Sequence, residues 1–140
     1  SLSDPFCVDR HRGAFRELVR NEIDILFANE AEVCSLYEVN EFDAAVPLAR
    51  GDVALACLTL SERGSLVLRD VEQVRVAAAP VQVIDTTGAG DAYAAGFLAA
   101  YAAGRDLPAC GALASRAAAA VIGQVGARPR GDLRRLIGSG

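Results

Sequence analysis

The chain contains no lysine, no methionine and no tryptophan, and only eight of its 140 residues are aromatic, three Tyr and five Phe. All fourteen basic residues are therefore arginine. This absence excludes a lysine-bearing phosphate loop, a protein-kinase site with its strand lysine, and any Schiff-base chemistry, since each needs an amine. A nucleotide handled here must rest on backbone N–H groups, arginine and metal. The missing methionine reads as a fragment or a processed product. Cysteine is sparse and dispersed: Cys7, Cys34, Cys57 and Cys110 show no C-x-x-C pair and no partnering histidine cluster. Such spacing predicts reduced, mostly buried thiols in a cytoplasmic protein and disfavours zinc or a disulfide framework. Long hydrophobic runs are also lacking. The longest, 92–103, is well short of the ~20 residues that span a bilayer, and no signal-peptide pattern opens the sequence.

Cationic clusters are equally scarce. The net charge is -4 and the pI about 4.9, which excludes a nucleic-acid face or a polybasic membrane surface. Arg128, Arg130, Arg134 and Arg135 gather near the end and read as the solvated face of a terminal helix over 132–137. Lone His11, flanked by arginine, reads as a surface residue.

What is present is 52% hydrophobic residues, enough for one domain with a sizeable core. After a turn at Pro5, apolar residues at helical spacing predict a helix over 9–21, followed by a buried strand over 23–28. Asn29 with Glu32 three residues on is a capping-box pattern that starts a helix through about Leu36. A helix over 41–49, a buried strand over 53–60, a turn at Glu62-Arg63-Gly64, and strands over 65–68 and 71–76 follow, the last alternating in a way that suits an antiparallel partner. An apolar strand end is expected at 80–84. Two alanine-rich helices, 92–103 and 107–123, complete the pattern. Strands alternating with helices imply an α/β fold, a mainly parallel sheet with helices on both faces, whose ligands sit at the carboxyl ends of the strands. Asn29, Thr59 and 86–91 then fall just past strand ends and would face one crevice.

One stretch names a chemistry. Asp85-Thr86-Thr87-Gly88-Ala89-Gly90-Asp91 carries the chain into a helix through two glycines, where orphan N–H groups and the positive helix end make a site for a phosphate or a developing oxyanion. Asp91 in the first turn is a base beside that anion hole, the pairing that hydroxyl phosphorylation requires. A structural turn and cap is the plainer alternative. Tyr93 stands where a dinucleotide fingerprint has its third small residue, which disfavours a nicotinamide-dependent oxidoreductase. Asn29 and Glu32 admit two readings, a helix cap, or a phosphate contact from Asn29 with Glu32 orienting a hydrated Mg2+. Residues 58–64 read as a strand and turn, or as a nucleotide lining. Tyr37, Tyr93 and Tyr101 read as packing residues.

Residues 85–91 with Ala92-Tyr93-Ala94-Ala95-Gly96-Phe97 closely resemble the second signature of the PfkB, or ribokinase, family of carbohydrate and nucleoside kinases. Asn29-x-x-Glu32 resembles that family's N-x-x-E motif, 58–64 its nucleotide segment, and 117–129 its closing adenine-side helix. Ser3-Asp4-Pro5-Phe6 and 25–30 are most similar to the adenosine-kinase-like branch. The resemblance implies a three-layer Rossmann-like fold and transfer of the ATP γ-phosphoryl group to a hydroxyl of a sugar or nucleoside acceptor. It implies that Asp91 takes the hydroxyl proton while the N–H groups of Ala89, Gly90 and Asp91, turned by Gly88, neutralise the phosphoryl charge. Thr59, Ser61, Glu62 and Gly64 would line the nucleotide, Ser115 and Gly126 would lie near adenine or ribose, and Asp85 and Thr87 would hold a monovalent cation such as K+, with Val121, Gln124 and Gly126 on its other side. Ser61 departs from the glycine that many members carry. The resemblance places residues 1–140 in the C-terminal nucleotide-binding part of such a kinase, with the N-terminal acceptor-binding and lid half absent. A non-catalytic nucleotide-binding module derived from such a kinase is the rival reading, and whether the protein works as a homodimer stays open.

Overall fold

A computed structural model of the protein describes residues 5–85 and 88–123. Helices α1 (Pro5–Arg10) and α2 (Arg12–Asn21) lead into strand β1 (Ile25–Asn29), and α3 (Glu30–Tyr37) and α4 (Phe42–Asp52) lead into β2 (Leu55–Thr59). A short 3-10 turn, Ser61–Arg63, precedes β3 (Ser65–Arg69) and β4 (Glu72–Val76); α5 (Ala89–Ala102) and α6 (Leu107–Ile122) close the described part. The predicted terminal helix over 132–137 lies outside the described residues.

The strands form one sheet in the order β1-β2-β3-β4. β1 and β2 run parallel, paired from Ile25 with Leu55 to Asn29 with Thr59. Two helices make the crossover that a parallel pair requires. β3 and β4 are joined by only Asp70 and Val71, a connection too short for anything but an antiparallel hairpin, as the alternation at 71–76 suggests. Asp70 takes the left-handed conformation (φ 53°) that Asp tolerates in tight turns. The α/β class expected from the sequence is the class observed.

Two expectations need correction. Pro5 begins a helix instead of a turn, because a proline at the first helical position loses no hydrogen bond; the helical run then breaks at His11 (φ -126°, ψ 31°). Residues 80–84 form no strand. The N–H groups of Ile84 and Asp85 both donate to the Ile122 carbonyl at the end of α6, at 2.9 and 3.1 Å, and Val83 and Ile84 stay 63% and 59% exposed. The apolar pattern is genuine, but its backbone groups are committed to a helix end.

The described chain divides into two compact units: one runs through Leu60 and includes Leu66–Gln73, and the other comprises Ser61–Ser65 and everything from Val74 on. In the first, Val19, Leu26, Leu36, Leu58, Leu66 and Leu68 belong to one buried cluster. β2 is buried along nearly its whole length, which explains its unbroken apolar run. Tyr37 lies under the Arg16 guanidinium, 5.5 Å from its ring centroid, and donates to Asp52 at 3.0 Å. Burial first, and the Asp52 carboxylate second, push the Tyr37 phenol up, so it stays protonated.

The second unit is built on α5 against α6. A Cβ at Gly96 would lie 2.9 Å from Ala117 Cβ and 3.1 Å from Ala114 Cα, so the two helices meet almost backbone to backbone. Phe97 next to it is fully buried. Gly111 gives the same closeness to β4, for its Cβ would fall 2.5 Å from Val76 Cγ2. By contrast Gly51, within α4, has nothing within 4 Å of a built Cβ.

Gly96→Ala is expected to destabilise the protein by about 1–3 kcal/mol through overpacking, while Gly51→Ala is expected to stabilise it by about 0.5–1 kcal/mol through helix propensity. Urea unfolding of both variants checks the opposite signs.

Candidate active site

The glycine-rich stretch becomes the N-terminus of α5. Gly88 is the N-cap and sits at φ 79°, ψ 3°, a left-handed conformation that a residue with a Cβ adopts only under strain. It brings no side-chain acceptor, and the helix itself supplies none to the first-turn N–H groups of Ala89, Gly90 and Asp91, while Ala92 N–H makes the first helical bond to Gly88 O at 3.0 Å. Asp91 is exposed, and its successors Ala92 and Tyr93 are buried. Asp91 thus lies in the exposed first turn of α5, at the positive end of the helix dipole. Thr86 and Thr87 lie outside the described residues.

Gly90 differs from Gly88. Its φ is ordinary and a Cβ there would meet nothing within 4 Å. No feature of the described fold requires glycine at this helical position, where it is less stable than alanine. What the missing Cβ leaves bare is the backbone beside Asp91, open for the close approach of an anion.

The loop 61–64 belongs to the same compact unit. Ser61 and Glu62 are exposed, and Gly64 N–H closes the turn on Ser61 O at 3.1 Å. Ser61 has φ 54°, the left-handed region that glycine enters without strain, so the serine departs from the smaller residue at a position whose backbone favours that residue. Gly64, at φ 89°, is pressed against β4: a Cβ would lie 1.9 Å from Val76 O. Directly after it, Ser65 Oγ and Tyr93 Oη share a buried hydrogen bond of 2.7 Å. Tyr93, expected from the sequence only to pack, thus also makes a long-range hydrogen bond that nothing local in either segment announces.

In the other unit, the register sets Asn29 and Thr59 side by side at the carboxyl ends of parallel β1 and β2. The capping box is present in full: Glu32 N–H donates to Asn29 Oδ1 at 2.8 Å, and Asn29 N–H donates to Glu32 Oε1 at 2.9 Å. Both residues therefore serve the start of α3, and Glu32 is buried at 6% exposure. Among the described residues no three His, Cys, Asp or Glu side chains gather into a metal cage. Ser115 is buried on α6 and Val121 is fully so. Asp85 is half-buried and tied through its N–H to Ile122 O; Thr87, Gln124 and Gly126 lie outside the described residues. Cys34 is held protonated by burial first and by the Glu30 and Glu41 carboxylates second. None of the four cysteines forms a disulfide. No described helix is long and apolar enough to cross a membrane.

Residues 1–132 match the pfkB family of carbohydrate kinases. The chain superposes on the adenosine kinase of Sinorhizobium meliloti with a TM-score of 0.94 and 51% identity, covering 99% of this chain and 43% of that one. A probable sugar kinase from Rhizobium etli gives a TM-score of 0.94 at 44% identity, covering 99% of this chain and 42% of its own. An uncharacterized sugar kinase of Archaeoglobus fulgidus is 32% identical over 120 residues, which are 86% of this chain and 48% of that protein. The chain thus spans about half the length of the relatives it matches, or somewhat less.

Gly64→Ala is expected to destabilise the second unit by about 2–4 kcal/mol, since a methyl group must displace the Val76 carbonyl and accept a left-handed φ. Urea unfolding measures it, and a loss below about 0.5 kcal/mol contradicts the close approach.

Proposed function

The chain belongs to the pfkB family of carbohydrate kinases, and from that premise we propose that it forms the nucleotide-binding half of an ATP-dependent phosphotransferase acting on a hydroxyl of a sugar or nucleoside. The observation that carries this reading is the first turn of α5, where exposed Asp91 stands beside three N–H groups that the helix itself leaves without acceptors. Asp91 takes the proton of the acceptor hydroxyl. The acceptor oxygen then bonds to the γ-phosphorus as the bond from that phosphorus to the bridging oxygen of ATP breaks, and ADP leaves. The amides of Ala89, Gly90 and Asp91 hold the charge on the transferring group, so positioning and electrostatics supply most of the catalysis.

Thr59, Ser61, Glu62, Gly64, Ser115 and Gly126 are the residues assigned to the nucleotide. Mg2+ bound chiefly by phosphates and waters needs only one or two carboxylates, so no cage is required among the described residues, and Glu32 is assigned to it through water. Asn29, paired with Thr59 at the strand ends, is assigned to a phosphate oxygen. Asp85 and Thr87 are assigned to a monovalent cation such as K+. The acceptor-binding and lid elements belong to the other half of the length seen in relatives, and the whole works in the cytoplasm, where ATP is available.

Asp91→Asn is expected to lower kcat by about 10²–10⁴-fold with ATP affinity within a few-fold of the parent, since the base is lost and the amides remain. Gly90→Ala is expected to leave the melting temperature unchanged or raised while lowering kcat/KM by about tenfold or more, because its methyl group meets only the incoming phosphate. Both are measured by ADP release with adenosine, ribose and fructose as acceptors, in the protein at its natural length, alongside calorimetry with a non-hydrolysable ATP analogue. Normal turnover in Asp91→Asn overturns the assignment; nucleotide binding without turnover in the parent identifies a non-catalytic binding module.

A further inference from the structure

The hydrogen bond between Ser65 Oγ and Tyr93 Oη joins residues 28 apart in sequence, both buried, at 1% and 4% exposure. Ser65 opens β3 directly after Gly64, whose own position is pinned by Val76 O. Tyr93 lies on α5 two residues beyond Asp91. Two residues apart on a helix are about 200° apart around its axis, so the two side chains occupy opposite faces. Their exposure agrees: Asp91 faces out and Tyr93 faces in.

From this arrangement we infer that Ser65 and Tyr93 are a positioning pair for the phosphoryl transfer, setting the rotation of the first turn of α5, and with it the direction of Asp91, relative to the loop 61–64. The inference rests on the phosphotransferase reading above. A phenylalanine fills the same space as the tyrosine ring, so packing alone does not require the hydroxyl. An apolar contact tolerates small rotations and slides, whereas a 2.7 Å hydrogen bond between two buried hydroxyls is directional and weakens steeply as either partner moves. The serine end is immobilised by its neighbour, since Gly64 has no room to shift toward β4. The bond therefore carries the position of the proposed nucleotide loop into the helix that bears the proposed base. Tyr93 touches no reacting atom and acts through Asp91.

The test compares Tyr93→Phe, Ser65→Ala and the double variant in the protein at its natural length. The double variant removes both ends of this bond at once, so its melting temperature is expected to be no lower than that of the less stable single variant. Its kcat is nonetheless expected to fall about tenfold, as in each single variant, with KM for ATP changed less than about twofold, and without further loss in an Asp91→Asn background. Amide hydrogen exchange is expected to quicken at residues 92–94, the first amides that α5 itself bonds, and to stay unchanged in α6. Parental kcat in the double variant overturns the inference, as does a kcat loss that adds fully to that of Asp91→Asn. A parent without phosphoryl transfer defeats the kinase reading, and then the exchange measurement still decides the pair: unchanged exchange at residues 92–94 in all three variants refutes its positioning role.

Discussion

The second unit depends on backbone approaching backbone where side chains are missing. α5 can lie against α6 only because Gly96 presents no Cβ to Ala117 and Ala114, and β4 can reach both Gly64 and Gly111 only because neither has a side chain to fend off Val76. Interiors are close-packed, so a contact of this kind tolerates almost no adjustment. The consequence is functional as well as structural. The loop 61–64, the end of β4, α6 and the first turn of α5 are held in one compact unit, and Asp91 with the amides beside it inherits that rigidity. A site whose catalysis is mostly positioning gains from being carried on elements that cannot slide.

Glycine serves three different physical ends here. Gly64 and Gly88 occupy left-handed backbone, and Gly64 also lies under a carbonyl; Gly96 and Gly111 are places of close packing. Gly90 has neither excuse, with ordinary helical backbone and open space where a Cβ would be. The contrast separates glycines that the fold needs from one that an incoming anion would need. Asn29 and Glu32 give the converse lesson. Their reciprocal hydrogen bonds make a complete helix cap, so the same pair that would face phosphate and hydrated metal also has a full structural occupation.

Much of the architecture was legible because it is encoded over short distances. The capping box at Asn29, the buried apolar run of β2, the two-residue turn between β3 and β4 and the alanine-rich α5 and α6 each follow from neighbouring residues. The segment 80–84 misled because an apolar alternation specifies a preference for extended backbone and no hydrogen-bond partner; Ile122 O, almost forty residues on, takes the N–H groups. The break at His11 was hidden for a related reason, since the apolar spacing continues across it.

The order of residues was enough to establish a glycine-turned helix start bearing Asp91, because capping, dipole and anion affinity arise within one turn of chain. It was also enough to exclude lysine-based phosphate binding, since an absent side chain needs no geometry. The bond from Tyr93 to Ser65, the pressure of Val76 on Gly64 and the meeting of Gly96 with Ala117 came from folding alone. Each is a contact between residues distant along the chain, and such contacts depend on how whole elements pack, which no local pattern specifies.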